Sequence, residues 1–480
     1  MKILSRYIFL FLAFTSINSC KKFLDVNTNP NLPTSPPING LLTRVTQNVA
    51  LNVYRVGNTT SYYVQYLASP NPDAPTDTYD RIDASGTWTS LYDNMTDIYD
   101  LEKMAKNLGA TQYQGVAKVL MAMDLHLVHN LWGAAPYTEA FSNETFTPKY
   151  DDATAIFQKC ITLLDEGIAL LLQPGSKITI PTTTGVNPDL IHKGVTAAWI
   201  RTAQALKARL LNQLSKTSQY STANIFTALA AAYTAAGQDA SVTTFNIRNP
   251  WAQAAVNNAA QSLDVWLSEY WVNQMRDTAA FVNPDPRLPL IASRTKPAFA
   301  NAGYPYIGTR NGKGRVGTGT TMDESYLSTT GYYSSTSSPL FIITYEEMKF
   351  IEAEVAFRTS DKPRAYAAYL EGIRANMNKV GVSSPNRDAY VNHASVSVGA
   401  TALTLQHIFR EKYRALFLMP VTWDDARRLD YQYTLFQLPL NVKTTTFVRR
   451  LVYPSVEISR NGTNVPAVSD VTEKLWWDKP

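Results

Sequence analysis

The chain has 480 residues, a formal net charge of +5 and only 17% charged residues, with 27 Tyr and 9 Trp among its aromatics. A charge so close to neutral at this length excludes a polyanion-binding surface, so nucleic acid is not an expected partner. Many rings and few ions instead suit neutral polar ligands, held by stacking and by amide or hydroxyl hydrogen bonds.

The chain opens with Lys2 and Arg6, an apolar run from Tyr7 to Phe14, and a polar, small-residue stretch from Thr15 to Ser19 that ends at Cys20. Residues 1–19 read as a secretory signal, whose apolar centre is too short to span a bilayer as a helix. Ile17-Asn18-Ser19-Cys20 resembles the lipid-attachment site of bacterial lipoproteins. The resemblance implies cleavage before Cys20 and acylation of its thiol and new amino terminus; several acyl chains anchor a protein stably where one does not. Loss of the signal removes two bases, leaving 42 − 39 = +3. Cys160 is then the remaining thiol, so no disulfide can form. Residues 20–37 form the lipidated tether, with four prolines from Pro30 to Pro37.

Helical periodicity dominates the rest. The apolar spacing predicts helices over Ile38–Tyr54, Trp88–Leu108, Gln114–Trp132, Ala153–Leu172, Thr196–Lys216 and Ser221–Ala236. In the fourth, Ile156, Cys160, Leu164, Ile168 and Leu171 recur at three- and four-residue steps, so Cys160 reads as a small core residue. A helical hairpin is predicted from Tyr345–Thr359 and Pro363–Val380, with Pro in the first turn of the second helix. Leu405–Leu418, stopped by Pro420, and Thr422–Leu429 follow. Strand signals are short: Ser241–Ile247, Leu340–Ile343 and Thr446–Val452. Paired helices of this length suggest a mostly α protein built as a TPR-like stack of helix pairs. Residues 38–480 form one domain with two long inserts, 69–87 and 296–338. Loops of that length are characteristically functional. The second carries seven glycines and five tyrosines.

Candidate chemistry is sparse. Gly312-Lys-Gly-Arg-Val-Gly317 matches GxGxxG but joins no strand to a helix, so it reads as a turn. His126 and His129 share a helix with no HExxH or cysteine pair, and read as helix residues beside an apolar seam. Glu346, Glu347, Glu352 and Glu354 crowd one helix and read as an exposed face paired with Lys349 and Arg358, not as two acids facing across a sugar. Asp424 and Arg428 lie one turn apart and read as a structural ion pair. No nucleophile–base arrangement emerges, nor any cofactor or metal site, and the chain is not expected to be an enzyme.

Eight stretches of the chain go together: Cys20–Asn31, Asn130–Ala140 with Thr147–Asp151, Asp285–Leu288, Tyr345–Glu354, Tyr369–Arg374, Glu411–Phe417 with Trp423–Arg428, Arg449–Glu457 with Asn461–Pro466, and Leu475–Asp478. In that order they resemble the SusD/RagB family of nutrient-binding outer-membrane lipoproteins of Bacteroidetes. Ala134 stands where an Asp is common in the family. The resemblance implies a scaffold of four TPR-like helix pairs, with the ligand site built from loops. It also implies capture of an oligosaccharide or a peptide at the cell surface, and delivery to a SusC-like TonB-dependent outer-membrane barrel. A surface-anchored glycan hydrolase and a ligand-free scaffold remain the alternative classes. From the residues themselves, the expected ligand contacts are Tyr304, Tyr306, Tyr326, Tyr332 and Tyr333 from the second insert, with Tyr79, Arg81 and Asp77 from the first. Trp88 belongs to the helix seam.

Overall fold

The computed structural model describes residues 37–142, 144–183, 187–276, 283–295, 305–316 and 324–479. Cys20 and its tether lie outside the described residues. Within them the chain is mostly helical. The first half carries α1 (Ile38–Tyr63), α2 (Ser85–Leu108), α3 (Thr111–Trp132), α4 (Ala153–Leu172), α5 (Thr196–Gln213) and α6 (Thr222–Ala231). Two short helices, α7 (Pro250–Ala259) and α8 (Glu269–Met275), follow. The second half holds α9 (Tyr345–Arg358), α10 (Lys362–Val380), α11 (Ser384–Asn392), α12 (Leu405–Ala415), α13 (Val421–Arg428) and α14 (Ser455–Asn461). Each helix packs on its chain neighbour from α1 to α6; α9 then packs on α10, and α12 packs on both. This is the TPR-like stack that the apolar spacing predicts.

Local chemistry sets the boundaries. Asp152 accepts from the Thr154 amide at the start of α4, Thr344 caps α9 through the Glu347 amide, and Asp361 caps α10, which carries Pro363 in its first turn. The α3–α4 pair is brought close by two facing glycines: a Cβ on Gly115 would lie 2.9 Å from the Gly167 carbonyl, and one on Gly167 would lie 3.0 Å from the Gly115 carbonyl. Cys160 is fully buried on α4, and burial pushes its thiol well above the ordinary value.

Two small antiparallel ladders staple segments distant in sequence. β1 (Leu67–Ala68) pairs with β3 (Trp266–Leu267), and β2 (Ala240–Val242) pairs with β4 (Leu340–Ile343) across a bulge. Thus the strand expected over Ser241–Ile247 is shorter and begins one residue earlier. Thr446–Val452 forms no strand, because its amides reach carbonyls in separate segments: Arg449 bonds Val471, and Leu451 bonds Leu131 at the end of α3. The helix expected to run to Ala236 stops at Ala231.

The acidic face expected on α9 is inside the protein. Glu346, Glu347 and Glu354 are at most 2% exposed. Arg209 of α5 forks onto Glu347 with both contacts at 2.6 Å, while Glu354 takes Arg428 of α13, Arg358 at 3.0 Å and the Asn212 amide of α5 at 3.0 Å. Lys349 and Glu352 do pair at the surface, at 2.9 Å. The expected Asp424–Arg428 pair is also redistributed. Asp424 binds Arg427 at 2.6 Å, and Arg428 binds Asp425 at 2.7 Å as well as Glu354. Asp425 in turn takes the Lys412 ammonium of α12 at 2.8 Å. A helix in a stack has more than one covered side, so charges that look like a solvated stripe in isolation become partners across helices.

Burial alone would raise the Glu354 carboxyl, but the Arg428 guanidinium outweighs it and holds the group well below the usual range. Its stabilisation is therefore complete above the ordinary value of 4.5 and is lost as pH falls below it. Glu354→Ala should cost about 3–5 kcal/mol in urea denaturation at neutral pH, because it takes one of its two carboxylate partners from the buried Arg428 guanidinium and the acid partner from Arg358. A loss below about 1 kcal/mol, the scale of a surface pair, would contradict this.

Candidate ligand-binding face

The two inserts meet. At their junction Asp77 accepts from the Asn311 side-chain amide at 2.5 Å and from the Gly312 backbone amide at 2.7 Å. The Asp73 amide bonds the Gly312 carbonyl and the Arg315 amide bonds the Pro70 carbonyl, so the 69–83 loop runs along 309–316. Asn311 also donates to the Leu67 carbonyl of β1 and accepts from Ser268, whose hydroxyl caps α8. A third segment, 431–443, completes the face. Leu440 donates to Asn311, Lys443 to Thr78, and the Asn441 side chain to Asp73 at 2.7 Å.

Backbone geometry is unusual at this junction. Gly312 has φ +81°, and a Cβ there would lie 1.9 Å from the Leu440 carbonyl oxygen. Gly314 has φ +75° and would meet the Pro72 nitrogen at 2.5 Å. The GxGxxG run is therefore a turn made of glycine because other strands of chain press on it; its Gly317 lies outside the described residues. Gln65, Asp73, Tyr79, Leu435 and Asn441 also hold φ between 53° and 60°, left-handed values uncommon in residues other than glycine. Such conformations gather where the surroundings over-determine a functional surface.

The face contains a recess of about 140 Å³ lined by Gln65, Glu269, Tyr270, Asn273, Arg310 and Gln437, with Leu435 and Leu438 at its edge. Glu269, Arg310 and Gln437 are exposed, while Tyr270 and Asn273 are half-buried. Tyr270 is braced by Phe436, edge-on at 4.8 Å, and by Tyr413 at 5.8 Å, and its hydroxyl donates to the Thr434 carbonyl. One aromatic ring, the four side-chain amides of Gln65, Asn273, Asn311 and Gln437, and one charge of each sign line a space smaller than a drug-sized pocket of about 300–1,000 Å³.

The residues expected to touch ligand are placed differently from one another. Tyr79 is fully buried, its hydroxyl on the Tyr63 carbonyl and its ring edge-on to Tyr63 at 5.7 Å. Tyr326 and Tyr333 are 4% and 8% exposed. Tyr333 sits against Phe341 and Phe417 with its hydroxyl beside the Asn376 amide. Tyr306 is 9% exposed, and its carbonyl holds Arg276. These four rings anchor loops, because a tyrosine ring left in water is costly. Tyr332 is half-buried and stacks on Phe341 at 6.3 Å, away from the recess. Arg81 is exposed and donates to the Ser469 carbonyl. Tyr304 lies outside the described residues. Asp77 does not face ligand; it is the hub joining the loops. Sequence reasoning missed α8 and the 431–443 segment. The Ser268-Glu269 start was a legible helix cap, whereas 431–443 carries no period at all.

His126 and His129 are buried more deeply than expected. His126 bonds Gln213 at 2.9 Å and Asn130 at 3.1 Å, and His129 accepts from Trp476 at 2.9 Å. Burial pushes both imidazoles down to about 3, so they stay neutral. Trp88 is buried on the α2 seam, edge-on to Trp132.

The described residues thus form a stack of helix pairs that holds a loop-built polar recess. The family model described as "Starch-binding associating with outer membrane", SusD-like, matches residues 30–454. The chain belongs to the SusD-like family. A comparison with curated proteins finds no match. Among solved structures, a chitin-binding protein aligns with 21% identity and a TM-score of 0.75, over 92% of this chain and 100% of its own. A chitin-binding SusD homologue from Flavobacterium johnsoniae aligns with 20% identity and a TM-score of 0.75, over 92% and 98% of the two chains. A SusD homologue from Bacteroides fragilis gives 18%, 0.75, 93% and 100%. At these identities the likeness speaks for the fold. No helix among the described residues is long and apolar enough to cross a membrane.

Burial pushes the Asp77 carboxyl up from 3.8 to about 6, against the pull of the Gly312 and Asn311 donors. A raised folded value means that folding takes up a proton in this window, so stability falls as pH rises from 3.8 to about 6. The melting temperature of the wild type relative to Asp77→Asn should fall across that interval and then level off. A difference independent of pH would contradict the assignment.

Proposed function

We propose that this protein is a cell-surface lipoprotein that captures an oligosaccharide at the loop face and passes it to a SusC-like TonB-dependent outer-membrane transporter. The observation that carries the reading is the composition of the recess. The Tyr270 ring can take the C–H face of a sugar, while Arg310, Glu269, Asn273 and Gln437 offer donors and acceptors to its hydroxyls. Family membership supports a glycan as the ligand class, and the chitin-binding names of two structural relatives give a second polysaccharide to try beside starch.

Among the described residues, Glu269 is the single carboxylate of the recess. Glycoside hydrolysis characteristically needs two, facing each other about 5–10 Å apart, so the arrangement favours binding over cleavage. Of the residues expected from sequence, Arg81, exposed on the first insert, stays a proposed ligand contact, as does Tyr304, which lies outside the described residues. Anchoring is assigned to acylated Cys20, which lets a disulfide-free helical body stay beside its transporter while it moves.

Calorimetry with maltoheptaose and chitohexaose tests the binding reading. At least one should bind, and Arg310→Ala and Tyr270→Ala should each weaken it about tenfold, the equivalent of about 1.4 kcal/mol. Saturable binding of peptides with no response to either sugar would overturn it. Cys20→Ala, expressed without the transporter, should leave the membrane fraction; a variant still firmly membrane-bound would refute the anchor.

A further inference from the structure

A second cavity, of about 380 Å³, lies on the scaffold and shares no residue with the loop recess. Its walls come from Tyr99 on α2, from Ile156 and Lys159 on α4, and from the turn after α3 that carries Tyr137, Thr138 and Phe141. Tyr99 and Phe141 lie nearly parallel, with centroids 5.8 Å apart, and Tyr137 meets Phe141 edge-on at 5.9 Å. Asp151 fixes this corner: its carboxylate accepts the Tyr137 and Thr138 amides at 2.8 and 2.9 Å and the Thr138 hydroxyl at 2.6 Å. The Lys159 ammonium stands 5.6 Å from the Tyr137 centroid.

From this geometry we infer that the cavity is a second saccharide site, which takes a neutral pyranose unit of the same glycan. The chemistry of the rim selects that class. An acyl chain would leave Asp151 and Lys159 facing hydrocarbon, which is costly. An anion would meet Asp151, and a cation would meet Lys159. A neutral sugar has an apolar C–H face for the aromatic corner and a ring of hydroxyls that can donate to Asp151 and accept from Lys159. The volume lies within the range of about 300–1,000 Å³ usual for small-ligand sites. Two sites on one rigid scaffold raise the effective concentration of a long polymer at each. The inference rests on the saccharide reading of the ligand but not on the loop recess.

Affinity gels containing amylopectin or colloidal chitin, run with the purified full-length protein, test it. Tyr99→Ala combined with Lys159→Met should reduce retention by the bound polysaccharide about tenfold or more, because one of two linked sites is lost. In calorimetry the variant should bind one fewer oligosaccharide per chain, while the loss caused by Arg310→Ala persists. Tyr99→Phe should retain binding, since the aromatic face is kept. Lys159→Met alone, at a half-exposed position, serves if the double variant fails to fold. Retention lost only in Arg310→Ala overturns the scaffold site and leaves the loop recess standing. Retention lost only in the Tyr99 and Lys159 variants supports the scaffold site and overturns the recess. A wild-type protein that neither polysaccharide retards overturns both.

Discussion

The Arg428 side chain, 1% exposed, lies between Glu354 and Asp425, and this cluster of charges joins α9 to α13. Lys412 extends it onto α12, and Asn212 with Arg209 ties α5 to the acids of α9. Buried charges of this kind are weak evidence for raw stability, because desolvation offsets much of their attraction. Their effect is geometric, since each guanidinium fork accepts a narrow range of carboxylate positions. An apolar interface would let stacked helices slide by fractions of a turn; here a slide would leave a charge unpaired.

The consequence reaches the ligand face through one residue. Tyr413 stands on α12 next to Lys412, and its hydroxyl donates to the Val64 and Gln65 carbonyls at 2.9 and 3.3 Å. Its backbone carbonyl accepts from Tyr66, and its ring supports Tyr270. Gln65 and Tyr270 both line the recess. The block thus fixes α12, α12 fixes Tyr413, and Tyr413 fixes two walls of the site. The outer wall is held differently, by Asp77 gripping Asn311 and Gly312 and by left-handed turns pressed into one another. The inner wall is thus tied to buried ion pairs, and the outer wall to hydrogen bonds between loops.

Much of the scaffold was legible because a helix buried on one side writes its period into the sequence. Trp199, Ala203, Leu206 and Leu210 announce α5, and the Asp361–Pro363 start announces α10. The α9 acids were misread because periodicity reports how far a residue lies around its own helix, not what packs there. The loop tyrosines illustrate a related limit. The rings of Tyr79, Tyr326 and Tyr333, expected at the ligand, are buried instead. Composition marks a loop as rich in rings; it does not say which of them point outward. The 431–443 segment was invisible for a third reason, since its contacts are backbone bonds to Asn311 and Thr78, far away in sequence.

The account stands on the loop recess being the place where sugar is held. A crystal structure of the complex with maltoheptaose or chitohexaose, whichever binds, tests this directly. A pyranose ring lying on Tyr270, with hydroxyls on Arg310 and Glu269 and the Asp77–Gly312 junction intact, is the predicted result. Sugar density found only elsewhere on the molecule, with the recess empty, would contradict it.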